Sequence, residues 1–118
     1  MDNFAENFED LEVWLEARHL ANLVFDHFET LKVFGFRDQI LNASTSVMNN
    51  IAEGFDRHSK KDFARFLDIA KGSPGEVRSM LYLAENRKYI SSVDAQPIRD
   101  AYEKLSSRIG ALASSLRK

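Results

Sequence analysis

Residues 59–86 read SKKDFARFLDIAKGSPGEVRSMLYLAEN, and the fold turns on whether this stretch is one helix or two. Phe63, Leu67, Ala70, Pro74, Val77, Leu81 and Ala84 recur in steps of three and four, the spacing of a single helix face. Against continuity stands SPGE at 73–76, a capping box with proline at the first helical position and thus the signature of a new helix start. An interior proline costs a helix about 3 kcal/mol and a glycine about 1. The apolar stripe nevertheless crosses Pro74 and Gly75 without a change of phase, which a reoriented second helix would not require. The spacing predicts one helix over 60–88, opened at Ser59 and bent at Pro74 rather than broken.

The flanking segments carry the same period. Residues 9–31 begin with Glu9 and Asp10, acids suited to the positive end of a helix dipole. Two apolar stripes follow: Leu11, Trp14, Leu15, Ala21, Phe25 and Phe28 on one, Val13, Leu20, Val24 and Leu31 on the other. Two stripes exceed what a helix at the edge of a monomer needs, so Trp14, Leu20, Val24 and Phe28 are expected at a subunit interface. Gly35 is expected to turn the chain into a helix over 37–57, with Ile40, Ser44, Val47, Ile51 and Phe55 facing inward. A last helix over 94–117, capped by Ser92 or Asp94 and with Pro97 in its first turn, shows one clean stripe from Ile98 to Leu116. Four helices with short connections give an all-α, antiparallel up-down-up-down four-helix bundle forming one domain over 1–118.

Composition narrows the chemistry. The chain has 118 residues, 44% of them hydrophobic, enough for a core without staples. It has no cysteine, which removes disulfides, thiolate metal sites and cysteine nucleophiles. The acidic start lacks a signal pattern and no apolar run reaches the roughly 20 residues that cross a bilayer, so a cytoplasmic protein without a membrane partner is expected. Net charge is −2 but uneven: residues 1–30 hold eight acids against Arg18, and the remainder holds fifteen bases against ten acids. The densest basic cluster comprises Arg57, Lys60, Lys61, Arg65 and Lys71, with His58 beside it. It could meet phosphates.

Catalytic patterns are weak. Glu16 and His19 have the Glu-x-x-His spacing of a di-iron bundle, but no second copy follows on the other helices. His27 and His58 lack partners at ligand spacing, no evident base serves the serines, and KGSPG is not a phosphate loop. No metal, cofactor or small-molecule substrate is expected. KGSPG is instead expected where helices approach closely and one bends.

A polar line does interrupt the second segment. Gln39, Ser46, Asn50, Glu53 and Arg57 share one face, and Gly54 beside them lets another backbone come near. With partners from Arg65, Ser73 or Arg78 of the third segment or from another subunit, these side chains are expected to form one hydrogen-bonded strip that locks helix register and subunit pairing.

These residues resemble the four-helix bundle family of bacterial 23S rRNA intervening-sequence proteins. The likeness runs through FEDLEVWLEAR at 8–18, GFRDQI at 35–40, NIAEGFDR at 50–57 and SKKDFARFLDIAKGS at 59–73, then Glu76. It is distantly similar to the accessory variability determinant protein of diversity-generating retroelements, a basic pentamer that binds nucleic acid and the reverse transcriptase. The resemblance implies that Glu76 belongs to the polar strip, and it implies a homo-oligomer, a pentamer, with no assigned activity. A non-catalytic oligomeric scaffold or interaction protein, with an RNA or protein partner, is the leading expectation. RNA binding through residues 57–71 is the alternative, and an enzyme or metal carrier the third.

Overall fold

The first helix starts where Leu11, in an extended conformation, hands the chain from a short 3-10 turn at Phe8–Asp10 into α1, Glu12–Phe28. The computed structural model describes residues 5–118, so residues 1–4 of the expected domain lie outside the described residues. Four more helices follow: α2 at Phe34–Asp56, α3 at Lys60–Ala70, α4 at Gly72–Asn86 and α5 at Ser92–Leu116. No strand occurs among the described residues, so the all-α expectation holds there.

Local chemistry sets most of these boundaries. Ser59 caps α3, its Oγ accepting from the Asp62 amide at 3.3 Å, and His58 before it takes a left-handed conformation (φ 59°) that ends α2. Lys88 does the same for α4 (φ 63°), letting the Tyr89 amide reach back to the Ala84 carbonyl at 2.9 Å. At α5 the cap is Ser91, whose Oγ accepts from the Asp94 amide at 3.1 Å, rather than Ser92 or Asp94. Pro97 consequently lies in the second turn, on the exposed side. Gly35 makes no turn either: it falls within the first turn of α2, and the connection is made by residues 29–33.

The third segment is where the expected continuity gives way. A single residue, Lys71, separates α3 from α4, and its own backbone stays right-handed helical (φ −65°, ψ −22°). Pro74 explains the location. It offers no amide to the Ala70 carbonyl four residues back, and its ring crowds that carbonyl, so the effect of the proline is felt one turn earlier. Phe63, Leu67, Ala70, Pro74, Val77, Leu81 and Ala84 are all buried, as one continuous face requires.

α1 packs on α2 and α5, and both α3 and α4 pack on the same two; α1 meets neither α3 nor α4. The helices thus take four corners in the order α1, α2, α3–α4, α5, in a body of 45 × 21 × 19 Å. Its interior holds Leu20, Val24, Phe28, Ile40, Val47, Ile51, Phe63, Leu67, Leu81, Leu105 and Ile109, each essentially inaccessible. The two stripes of α1 both go into this one core. Val13, Trp14, Ala17, Leu20, Ala21, Val24 and Phe28 are buried, while Leu15 is left 42% exposed. The turn before α1 makes this possible, for Phe8 folds back edge-on to Trp14 with ring centroids 5.1 Å apart.

One core polar group is unpaid by any partner. Tyr102 is fully buried and its hydroxyl has no hydrogen-bond partner among the described residues. Burial also pushes its phenol pKa well above the ordinary 10. Tyr102→Phe is therefore expected to stabilise the fold by about 1 kcal/mol, because a buried unpaired hydroxyl costs more than the phenyl that replaces it. The sign of the pH dependence follows. Above the unfolded value near 10 the unfolded chain loses a proton that the folded chain keeps, so stability falls as pH rises. Urea unfolding at rising alkaline pH should show less of that fall in the variant.

Candidate functional site

Two surfaces carry the residues that the sequence singles out. The first runs along the seam between α2 and α4, where Gln39 Nε2 donates to Glu76 Oε2 at 3.1 Å and Ser73 Oγ lies 3.2 Å from Ser46 Oγ. Asn50 Nδ2 donates to both the carbonyl and the hydroxyl of Ser46, at 2.9 and 3.0 Å. Arg57 pairs with Glu53 at 3.1 Å, one turn apart on α2. The single connected strip is therefore three separate pieces among the described residues: a Gln39–Glu76 bridge, a Ser46–Asn50–Ser73 knot and a Glu53–Arg57 pair. Glu53 has its side chain 57% exposed, and an i,i+4 pair of this kind contributes only about 0.3–0.5 kcal/mol. Bonds between helices come from Gln39, Ser46, Ser73 and Glu76.

Gly54 matters more than its charged neighbours. A Cβ placed on it would stand 2.4 Å from Phe66 Cβ, so the missing side chain is what lets α2 and α3 approach. Phe66 in turn lies between two guanidinium groups, with Arg57 at 5.0 Å and Arg65 at 4.7 Å from its ring centre. Close approach is expected at KGSPG as well. There, Cβ atoms on Gly72 and Gly75 would meet nothing within 4 Å, and both glycines are exposed.

The second surface is the basic one. Lys60, Lys61 and Arg65 from the start of α3 line a shallow groove with Leu116 and Arg117 from the end of α5. Lys60 and Lys61 make no ion pair among the described residues, whereas Arg65 lies 3.9 Å from Asp62. Lys71 stands apart, lying over Gly110 of α5 and outside the groove lining. Arg117 is the member that sequence reasoning missed. It is distant along the chain, and only the packing of α5 on α3 brings it in. It chelates Asp68, and the hydrogen bond from its guanidinium holds that carboxylate below the usual range while Asp68 raises the arginine.

The expected subunit interface is corrected by burial. Trp14 is 7% exposed, Leu20 2%, and Val24 and Phe28 0%, all within one chain. The corner position of α1, touching α2 on one side and α5 on the other, uses both stripes internally. Among the described residues, the large apolar side chains that remain exposed are Leu15, Val33, Phe34, Ile69, Tyr82, Leu83 and Val93. Among the described residues no group of three or more His, Asp or Glu side chains is placed to hold a metal ion. Nor is any of these helices long and apolar enough to cross a membrane.

Comparison with known proteins agrees with this architecture. The family model described as 23S rRNA-intervening sequence protein matches residues 9–111. Among solved structures, a protein of unknown function from the S23 ribosomal protein family of Bacteroides thetaiotaomicron superposes with a TM-score of 0.79 at 23% identity, covering 86% of this chain and 97% of that one. No curated protein matches the chain.

Proposed function

The chain belongs to the 23S rRNA-intervening sequence protein family, and from that premise we propose that it is a scaffold that acts by contact rather than by catalysis, in the cytoplasm, as a homo-oligomer. Its bundle is read as antiparallel up-down-up-down, since connections of only a few residues join long helices, with the third segment bent under the influence of Pro74. The observation that carries the reading is the apolar surface left over once the core has closed. Ile69 is 48% exposed, Tyr82 56% and Leu83 52%, all on α3 and α4, the helices that also carry the exposed glycines 72 and 75. Exposed aliphatic and aromatic side chains on one pair of helices favour contact with another chain. Light scattering tests this. A pentamer would weigh about five times the 13.5 kDa of one chain, and a mass of 13.5 kDa at all concentrations would overturn the scaffold reading.

A second reading is favoured by the groove at Lys60, Lys61, Arg65 and Arg117, which offers cations to the phosphates of a structured RNA. Filter binding at rising salt measures it. Phosphate contacts would make affinity fall steeply with salt through counterion release, and a flat or absent response would exclude it.

A further inference from the structure

Charge is divided unevenly between two segments of the bundle. From residue 5 to residue 30 the chain carries seven acids against Arg18, and from 57 to 88 eight bases against four acids. These segments are α1 with its leading turn and α3–α4, which occupy opposite corners and do not touch. Each also holds an outward aliphatic side chain, Leu15 at 42% exposure on α1 and Ile69 at 48% on α3.

We propose that the acidic face of α1 and its leading turn (Glu9, Asp10, Glu12) docks on the basic face of α3 (Lys60, Lys61, Arg65) of a second copy, head to tail. The proposal rests on the scaffold reading and names its contact surfaces. Leu15 and Ile69 supply a small apolar centre and the charges a complementary rim. Both faces border the C-terminal part of α5, the acidic one beside Arg108 and Leu112 and the basic one beside Leu116 and Arg117. The patches are unlike, so a contact used once per neighbour is heterologous, and its repeated use closes a ring or extends a chain. Glu12 already meets Arg108 at 3.0 Å, yet its side chain is 86% exposed and keeps acceptor capacity for a neighbour.

Charge exchange tests the pairing on the full chain. Glu9→Lys with Asp10→Lys reverses one face, and Lys60→Glu with Lys61→Glu reverses the other. All four residues are exposed, and the new acids sit in the first turn of α3, where the helix dipole favours them. Measured by light scattering and sedimentation at low and high salt, the wild type should lose mass as salt rises. Each single-face variant should weaken association by about tenfold or more, and the chain carrying all four substitutions should recover it. Circular dichroism confirms that each variant is folded. If the wild type assembles and a folded single-face variant keeps its mass and salt profile, the docking faces are wrong while the scaffold reading stands. If the wild type is a monomer even at low salt, both fail. Should Lys60→Glu with Lys61→Glu abolish retention of a structured RNA but leave assembly intact, the basic face belongs to nucleic acid and the proposal is overturned.

Discussion

Phe28→Ala is expected to lower the stability of the fold by about 3–5 kcal/mol while leaving the mass of the folded protein unchanged. Phe28 closes α1 at 0% exposure, tilted against Phe36 with ring centroids 5.9 Å apart, and Phe36 in turn meets Tyr89 edge-on at 5.3 Å. The three rings tie the end of α1 to the start of α2 and to the connection that follows α4. Removing the first leaves a cavity that three helix ends cannot close without moving, which is why the upper part of the range applies. For a domain of this size the thermal midpoint should fall by roughly 4–8 °C per kcal/mol. Were Phe28 an interface residue, the same substitution would reduce the assembled mass at temperatures far below unfolding, with a midpoint nearly unchanged for the separated chain. Thermal unfolding followed by circular dichroism, with light scattering on the same samples, separates the two outcomes.

Gly54→Ala should also be destabilising, by about 1–3 kcal/mol, against the usual direction of a glycine-to-alanine change in a helix. Alanine would ordinarily gain about 1 kcal/mol at a helix interior. Here the added methyl would stand 2.4 Å from Phe66 Cβ and 3.3 Å from Phe63 Cδ1, so α2 and α3 must separate. The offending atom is a Cβ, which gives the prediction a sharp control. Trimming Phe66 to alanine keeps that atom and should not rescue Gly54→Ala, whereas Phe66→Gly should relieve the clash itself. Gly72→Ala, at an exposed glycine with open space around its Cβ, should be neutral or slightly stabilising in the separated chain. Urea unfolding of the four variants decides it. A Gly54→Ala chain as stable as wild type would mean that the helices are not held at this distance.

The architecture was legible because a helix writes its buried face into the spacing of apolar residues. Ile40, Val47, Ile51 and Phe55 on α2 and Ile98, Tyr102, Leu105 and Ile109 on α5 are all buried as their period requires. The Ser59 cap was equally readable, since it depends on contacts within one turn. Ser91 was passed over for Ser92 and Asp94 because neighbouring residues of similar capping ability differ only in backbone conformation. Among the site residues, Gly54 stood out as a place of close approach, and the packing names Phe66 as what approaches it. The strip around Asn50 was recognised as polar, but which atoms bond depended on the relative height of α2 and α4.

By itself, then, the sequence determined the helical class, the approximate helix limits, the inward faces, and the uneven distribution of charge. All of these follow from periods and propensities that act over one or two turns. Only the tertiary structure decided that both stripes of α1 are interior, because that depends on α1 filling a corner between α2 and α5 with Phe8 folded onto Trp14. It also decided that Arg117 joins Lys60 and Lys61, and that the acidic and basic faces lie at opposite corners. Periodicity specifies which way a side chain points from its own helix axis. How the axes are arranged, and so which surfaces are consumed and which remain, is set by packing between residues far apart in the chain.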